Sequence, residues 1–98
     1  MLSRQNPRVK YLRRLAGRRF REQEGKFFAE GIRFAEEAMH SGWPVEMLVY
    51  CPDAAENLRV KSILEDAAGR VSLMEVDDPL FRELAGTASP QGVLAVVG

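Results

Sequence analysis

The side chains best equipped for chemistry in this sequence are its arginines and lysines, and they crowd one end. Eight of them, Arg4, Arg8, Lys10, Arg13, Arg14, Arg18, Arg19 and Arg21, fall within the first 21 residues, which contain no acid. Adding Lys26 and Arg33 against Glu22, Glu24 and Glu30 gives ten bases and three acids by residue 33, a local balance of +7. The other 65 residues carry four bases and eleven acids, a balance of −7, so the formal net charge of zero is a cancellation. A domain charged this way has a polarised surface that attracts a polyanion at one end and repels it at the other. Guanidinium and ammonium groups at this density neutralise phosphates and release their condensed counterions. Ordinary solvated helices intersperse acids at i,i+4 spacing, and this stretch does not.

Other chemistries find little support. General acid–base or nucleophilic catalysis needs a positioned pair, and no Ser-His-Asp, Cys-His or paired-carboxylate arrangement stands out. Glu36-Glu37 reads as a solvated helix face and Asp77-Asp78 as a helix start. Neither the glycine-rich dinucleotide pattern nor the Walker pattern occurs. Cys51 and His40 are the only residues of their kinds, which leaves no internal disulfide and no metal cluster. No apolar run approaches the roughly 20 residues that span a bilayer. The charged N-terminus is not followed by the apolar segment of a secretory signal, so a reducing cytoplasm is the expected compartment. Trp43, Phe27, Phe28, Phe81, Tyr50 and Cys51 read as core or rim packing. Tyr11, turned away from the apolar side of its helix, is a candidate for stacking on a base.

These side chains must be held by helices and strands that the periodicity predicts in strict alternation. Asn6 and Pro7 open a basic helix reaching to about residue 22, with Val9, Leu12, Ala16 and Phe20 on one side and Lys10, Arg14, Arg18 and Arg21 on the other. Gly25 ends it, and "KFFAE" is a short strand running into a helix from Gly31 to about His40. "VEMLVYC" is the second strand, followed by a helix over 56–68 and a glycine cap at Gly69. "VSLMEV" is the third strand. "DDPLFRELAG" has an acid and Pro79 where a helix N-terminus favours them. After the loop "TASPQG", the run "VLAVV" suits the buried centre of a sheet. The order α-β-α-β-α-β-α-β predicts an α/β protein, a three-layer α/β/α sandwich around a four-stranded mixed sheet.

Three stretches, "SRQNPRVKYLRRL", "GKFFAEGIRFAEEAM" and "LFRELAGTASPQGVLAVV", together resemble the N-terminal substrate-binding domain of the SpoU (TrmH-type) RNA 2′-O-ribose methyltransferases. The resemblance covers essentially the whole chain, and its elements F-x-x-E-G-x-R and T-x-x-P-Q-G are fairly specific in combination. It implies a fold shared with small ribosomal proteins that bind kinked RNA. It also implies a parent enzyme that transfers methyl from S-adenosylmethionine to a ribose hydroxyl. The resemblance further implies that a knotted methyltransferase domain follows residue 98, and none of that domain's cofactor motifs occurs within these residues; the stop at Gly98 directly after the last strand reads as a cut from something longer, with a compact single-domain protein as the alternative. No catalytic, cofactor or metal residue is therefore assigned here.

The resulting expectation is an RNA substrate-binding domain over residues 1–98, with RNA contacts from Arg4, Lys10, Arg13, Arg14, Arg18, Arg21 and Lys26. The turn "EGIR" adds Gly31 and Arg33, because free N–H groups at a helix N-terminus and a nearby guanidinium meet a phosphate. The loop "TASPQG" adds Thr87, Ser89 and Gln91 as donors to base edges or riboses. Ribosomal RNA is favoured over transfer RNA as the partner. The parent's own methyltransferase domain is the second expected partner and the seat of homodimerisation, and no membrane partner is expected. Two other classes compete. One is a stand-alone structural RNA-binding protein of the ribosomal-protein type. The other is a basic helix that docks on an acidic protein or an anionic membrane.

Overall fold

The computed structural model describes residues 2–87 and 90–98. The apolar run at the C-terminal end becomes β4 (Val93–Val97), the strand from which the sheet is built. All five of its residues are buried, as a strand covered on both faces requires. It pairs antiparallel with β1 (Phe27–Glu30) on one side and with β2 (Val45–Tyr50) on the other. β3 (Ser72–Glu75) lies parallel to β2, giving the order β1-β4-β2-β3 with β1 and β3 at the edges.

Alternation along β4 separates two cores. Val93, Ala95 and Val97 pack with Ala35, Ala38 and Met39 of α3 (Ile32–His40) and Val60, Ile63 and Ala67 of α4 (Leu58–Ala67). Leu94 and Val96 face Val9, Leu12 and Leu15 of α1 (Pro7–Leu15). They also meet Leu80, Phe81 and Leu84 of α5 (Asp78–Leu84). Helices therefore cover both faces of the four-stranded mixed sheet, in agreement with the expected α/β class.

Side-chain caps fix the helix starts. Asn6 Oδ1 accepts from the Arg8 N–H at 2.8 Å, and Asp77 Oδ1 accepts from the Leu80 N–H at 2.8 Å. Each such cap contributes about 1 kcal/mol. Asn57 does the same for Arg59 and Val60, so the region read as one helix over 56–68 is a 3-10 turn (Ala54–Glu56) followed by α4.

A larger difference lies at the N-terminus, where the single basic helix is two, α1 and α2 (Arg18–Glu24). Gly17 turns the backbone to an extended ψ of 131° between them. Glycine is a poor helix interior residue. The break is held by Arg21, whose guanidinium donates to the carbonyls of Leu15 at 3.3 Å and Ala16 at 3.1 Å, two of the acceptors that the end of α1 leaves open.

Candidate nucleic-acid interface

The basic residues sort by what each already touches. Arg4 and Arg13 both reach Glu83, at 2.7 and 3.6 Å. The hydrogen bond to Glu83 raises the Arg4 pKa, and the same bond lowers that of Glu83. Arg18 pairs with Glu22 one turn on, at 2.9 Å. Lys26 is half-buried between Glu46 and the Tyr11 hydroxyl, and the hydrogen bond to Glu46 is the largest cause of its raised pKa. Arg21 is committed to the α1 carbonyls and lies over the Phe28 ring at 5.4 Å. These two are fastened into the fold, whereas the exposed pairs of Arg4, Arg13 and Arg18 are weak and exchange readily for a phosphate.

Six of the ten bases in residues 1–33 have no ion-pair partner among the described residues, and with Arg21 committed to carbonyls five are left: Arg8, Lys10, Arg14, Arg19 and Arg33. All five are exposed. Arg14 is held at 4.1 Å over the Phe20 ring, a contact that orders the side chain without neutralising it. Arg8 and Arg19 are additional candidates, visible in sequence only as members of the same acid-free run. Tyr11 is not presented for stacking, because it packs edge-on against Phe20 with centroids 6.1 Å apart and accepts from Lys26.

The two loops singled out in the sequence are laced together. Gly31 sits at φ 98° and ψ 163°, a region open essentially to glycine alone. Its N–H donates to the Val93 carbonyl at 2.9 Å. The next N–H, that of Ile32 at the start of α3, donates to the side-chain Oε1 of Gln91 at 2.8 Å. From the other side, the Gly86 N–H donates to Glu30 Oε1 at 2.7 Å. Gly92 is also confined, since its φ is 82° and a Cβ there would stand 2.7 Å from Cys51 Sγ. Gln91 thus spends its carbonyl on α3, and its amide N–H groups have no partner among the described residues. Arg33 and Thr87 flank the junction and are exposed, while Ser89 lies outside the described residues. Glu30 is a residue that sequence reasoning missed. Its partner is 56 positions away, and no local pattern signals the pairing.

Around this junction, Phe27, Phe34 and Trp43 are 47, 59 and 37% exposed. Phe81 and Cys51 are buried as expected of core residues, and burial pushes the Cys51 thiol pKa up.

A basic surface on α1 and α2, a glycine-dependent loop junction and this sheet order point to known proteins of one family. The MRM3-like substrate binding domain matches residues 6–95. The chain belongs to that family. No curated protein matches it. Among solved structures, an rRNA methyltransferase from Sinorhizobium meliloti is 27% identical with a TM-score of 0.74, covering 97% of this chain and 34% of its own. The SpoU methyltransferase AviRb from Streptomyces viridochromogenes, solved with AdoMet, is 28% identical with a TM-score of 0.77, covering 95 and 35%. An RNA 2′-O ribose methyltransferase is 29% identical with a TM-score of 0.74, covering 96 and 35%. The chain spans about a third of the length of these proteins.

The residues here do not fit the methyl donor bound by AviRb. Among the described residues no polar or charged residue is buried as a whole, and the buried oxygen without a partner, Glu30 Oε2, belongs to a carboxylate already bonded to the Gly86 N–H, so no set of buried donors stands ready to orient such a cofactor. The described residues also include no group of His, Cys, Asp or Glu that could hold a metal ion. No helix among them is long and apolar enough to cross a membrane.

Proposed function

We propose that this domain holds ribosomal RNA and presents a ribose to an S-adenosylmethionine-dependent 2′-O-methyltransferase domain of the same parent protein. The observation that carries the reading is the set of five exposed, unpaired cations, four of them on α1 and α2 and the fifth at the Gly31 junction. Cations on the two basic helices grip phosphates and fix register without reading sequence. The junction supplies selectivity, because Gln91 Nε2, Thr87 and Arg33 offer donors to unstacked bases and ribose hydroxyls. Ribosomal RNA is preferred to transfer RNA as the target on the strength of the Sinorhizobium relative, described as an rRNA methyltransferase. Dimerisation of the parent belongs to its methyltransferase part in this proposal, and the compartment is the cytoplasm, where the lone Cys51 stays a thiol.

The test is a competition titration of the chain against a looped ribosomal RNA fragment and a plain duplex of equal length. Arg33→Ala should lower affinity for the looped RNA by about 1–3 kcal/mol, more than for the duplex. Equal losses on both would reduce Arg33 to a general phosphate contact and remove the junction from selectivity.

A further inference from the structure

The exposed aromatics beside the junction are not explained by folding. An aromatic ring left in water forgoes the gain of burial, and this chain leaves three aromatic side chains substantially exposed in one neighbourhood. Phe27 comes from the edge strand β1, Phe34 from the first turn of α3, and Trp43 from the segment after α3. Phe27 and Trp43 meet edge-to-face with centroids 5.9 Å apart, which stiffens both rings. Two open hollows share Phe34 and Trp43 as walls. One of them reaches Phe27 and Thr87, and the other reaches Arg33 and Glu37. An apolar patch of this kind, rimmed by polar groups, marks a contact surface.

We infer that Phe27, Phe34 and Trp43 form a stacking platform for unpaired bases of the bound RNA, an inference that rests on the RNA-binding reading above. The platform is aromatic in all three members, and flat rings offer every base a stacking face regardless of sequence. Its Phe34 directly follows Arg33, and the hollows it lines include Arg33 and Thr87, so a strand gripped at the loop junction has the platform next to it. Arg33 has no ion-pair partner among the described residues and can hold the phosphate of a stacked nucleotide, while Glu37 accepts from Ser41 Oγ at 3.2 Å and adds no cation. Arg33 stands against Glu37 in one hollow and Glu30 lines the other, so the platform acts through base stacking rather than through phosphate neutralisation.

Two readouts separate those contributions. Trp43 is the sole tryptophan, so its fluorescence reports the platform directly. The chain is titrated with an oligoadenylate single strand, an A-form duplex of the same length, and inorganic polyphosphate. Single-stranded RNA should quench Trp43 emission saturably, while duplex and polyphosphate bind the basic helices and leave it unchanged. Phe34→Ala should weaken single-strand binding by about 5- to 150-fold, the range for loss of one stacked base. Duplex affinity should stay within twofold of wild type and the salt slope should not move, and Phe34→Tyr should restore single-strand affinity. Duplex and single strand bound equally by wild type and Phe34→Ala, with Trp43 emission constant, would overturn the platform while leaving the RNA reading intact. Failure to bind any RNA would overturn both. A Phe34→Ala chain that changes its sedimentation behaviour but not its RNA affinity would assign the patch to a protein contact and overturn the inference.

Discussion

Replacing Gly31 by alanine tests whether the loop junction is built as described. At φ 98° and ψ 163°, any side chain is forced into a backbone region that costs about 1–3 kcal/mol for residues other than glycine. The added Cβ would also stand 3.0 Å from Gln91 Oε1, the atom that accepts from the Ile32 N–H. Displacing that oxygen forfeits a hydrogen bond worth roughly 1 kcal/mol net. The two effects together predict a loss of about 2–4 kcal/mol. In a domain of this size 1 kcal/mol corresponds to roughly 4–8 °C, so thermal unfolding should move down by on the order of 10–20 °C. A double-mutant cycle identifies the cause. Gln91→Ala alone should cost about 1 kcal/mol, and in the Gly31→Ala background it should cost almost nothing, because the bond is already broken. Differential scanning calorimetry of the four chains measures all these terms. Strict additivity, or a Gly31→Ala chain melting within 2 °C of wild type, would refute the junction geometry.

Arg21→Ala should destabilise the chain by about 1–3 kcal/mol in urea unfolding, since it exposes the Leu15 and Ala16 carbonyls and removes the stack on Phe28. Arg21→Lys should recover only part of that, because an ammonium lacks the planar fork, and full recovery by lysine would mean that charge alone holds the α1–α2 break. Glu83 and Glu36 both titrate below the usual carboxylate range, through their hydrogen bonds to Arg4 and Arg59. Their contribution is present above the unfolded pKa and is lost as pH falls through the lowered folded values, so stability should decline below about pH 4.5. Added salt should shrink that decline, because both pairs are exposed, and a salt-independent acid limb would place its origin elsewhere.

Much of the framework was legible because its signals are local. "VLAVV" became β4 with the bounds expected, since a continuous apolar run has no place but a doubly covered strand. Asn6 and Asp77 cap where their side chains stand next to a helical pattern. The break at Gly17 was hidden by the spacing of Val9, Leu12, Ala16 and Phe20, which continues in phase across it. What ends α1 is the long-armed Arg21, a tertiary choice that periodicity does not encode. The same holds at the site. "EGIR" and "TASPQG" were found separately, but the bonds joining them span 59 and 56 positions. Lys26 and Arg21 counted as cations in sequence, yet the fold consumes both. Phe34 and Trp43 are apolar by type, and only the packing reveals that they face outward.

The central claim is that the basic surface of α1 and α2 binds RNA by neutralising phosphates, and the salt dependence of binding tests it most directly. If Arg8, Lys10, Arg14, Arg19 and Arg33 each displace a condensed counterion, log K for a structured RNA should fall against log salt with a slope of about −3.5 to −4.5. Replacing Lys10, Arg14 and Arg19 together by alanine should flatten that slope by roughly two to three, with the far-UV spectrum unchanged. A triple variant that keeps the wild-type slope and affinity would show that RNA does not sit on α1 and α2, and would contradict the account.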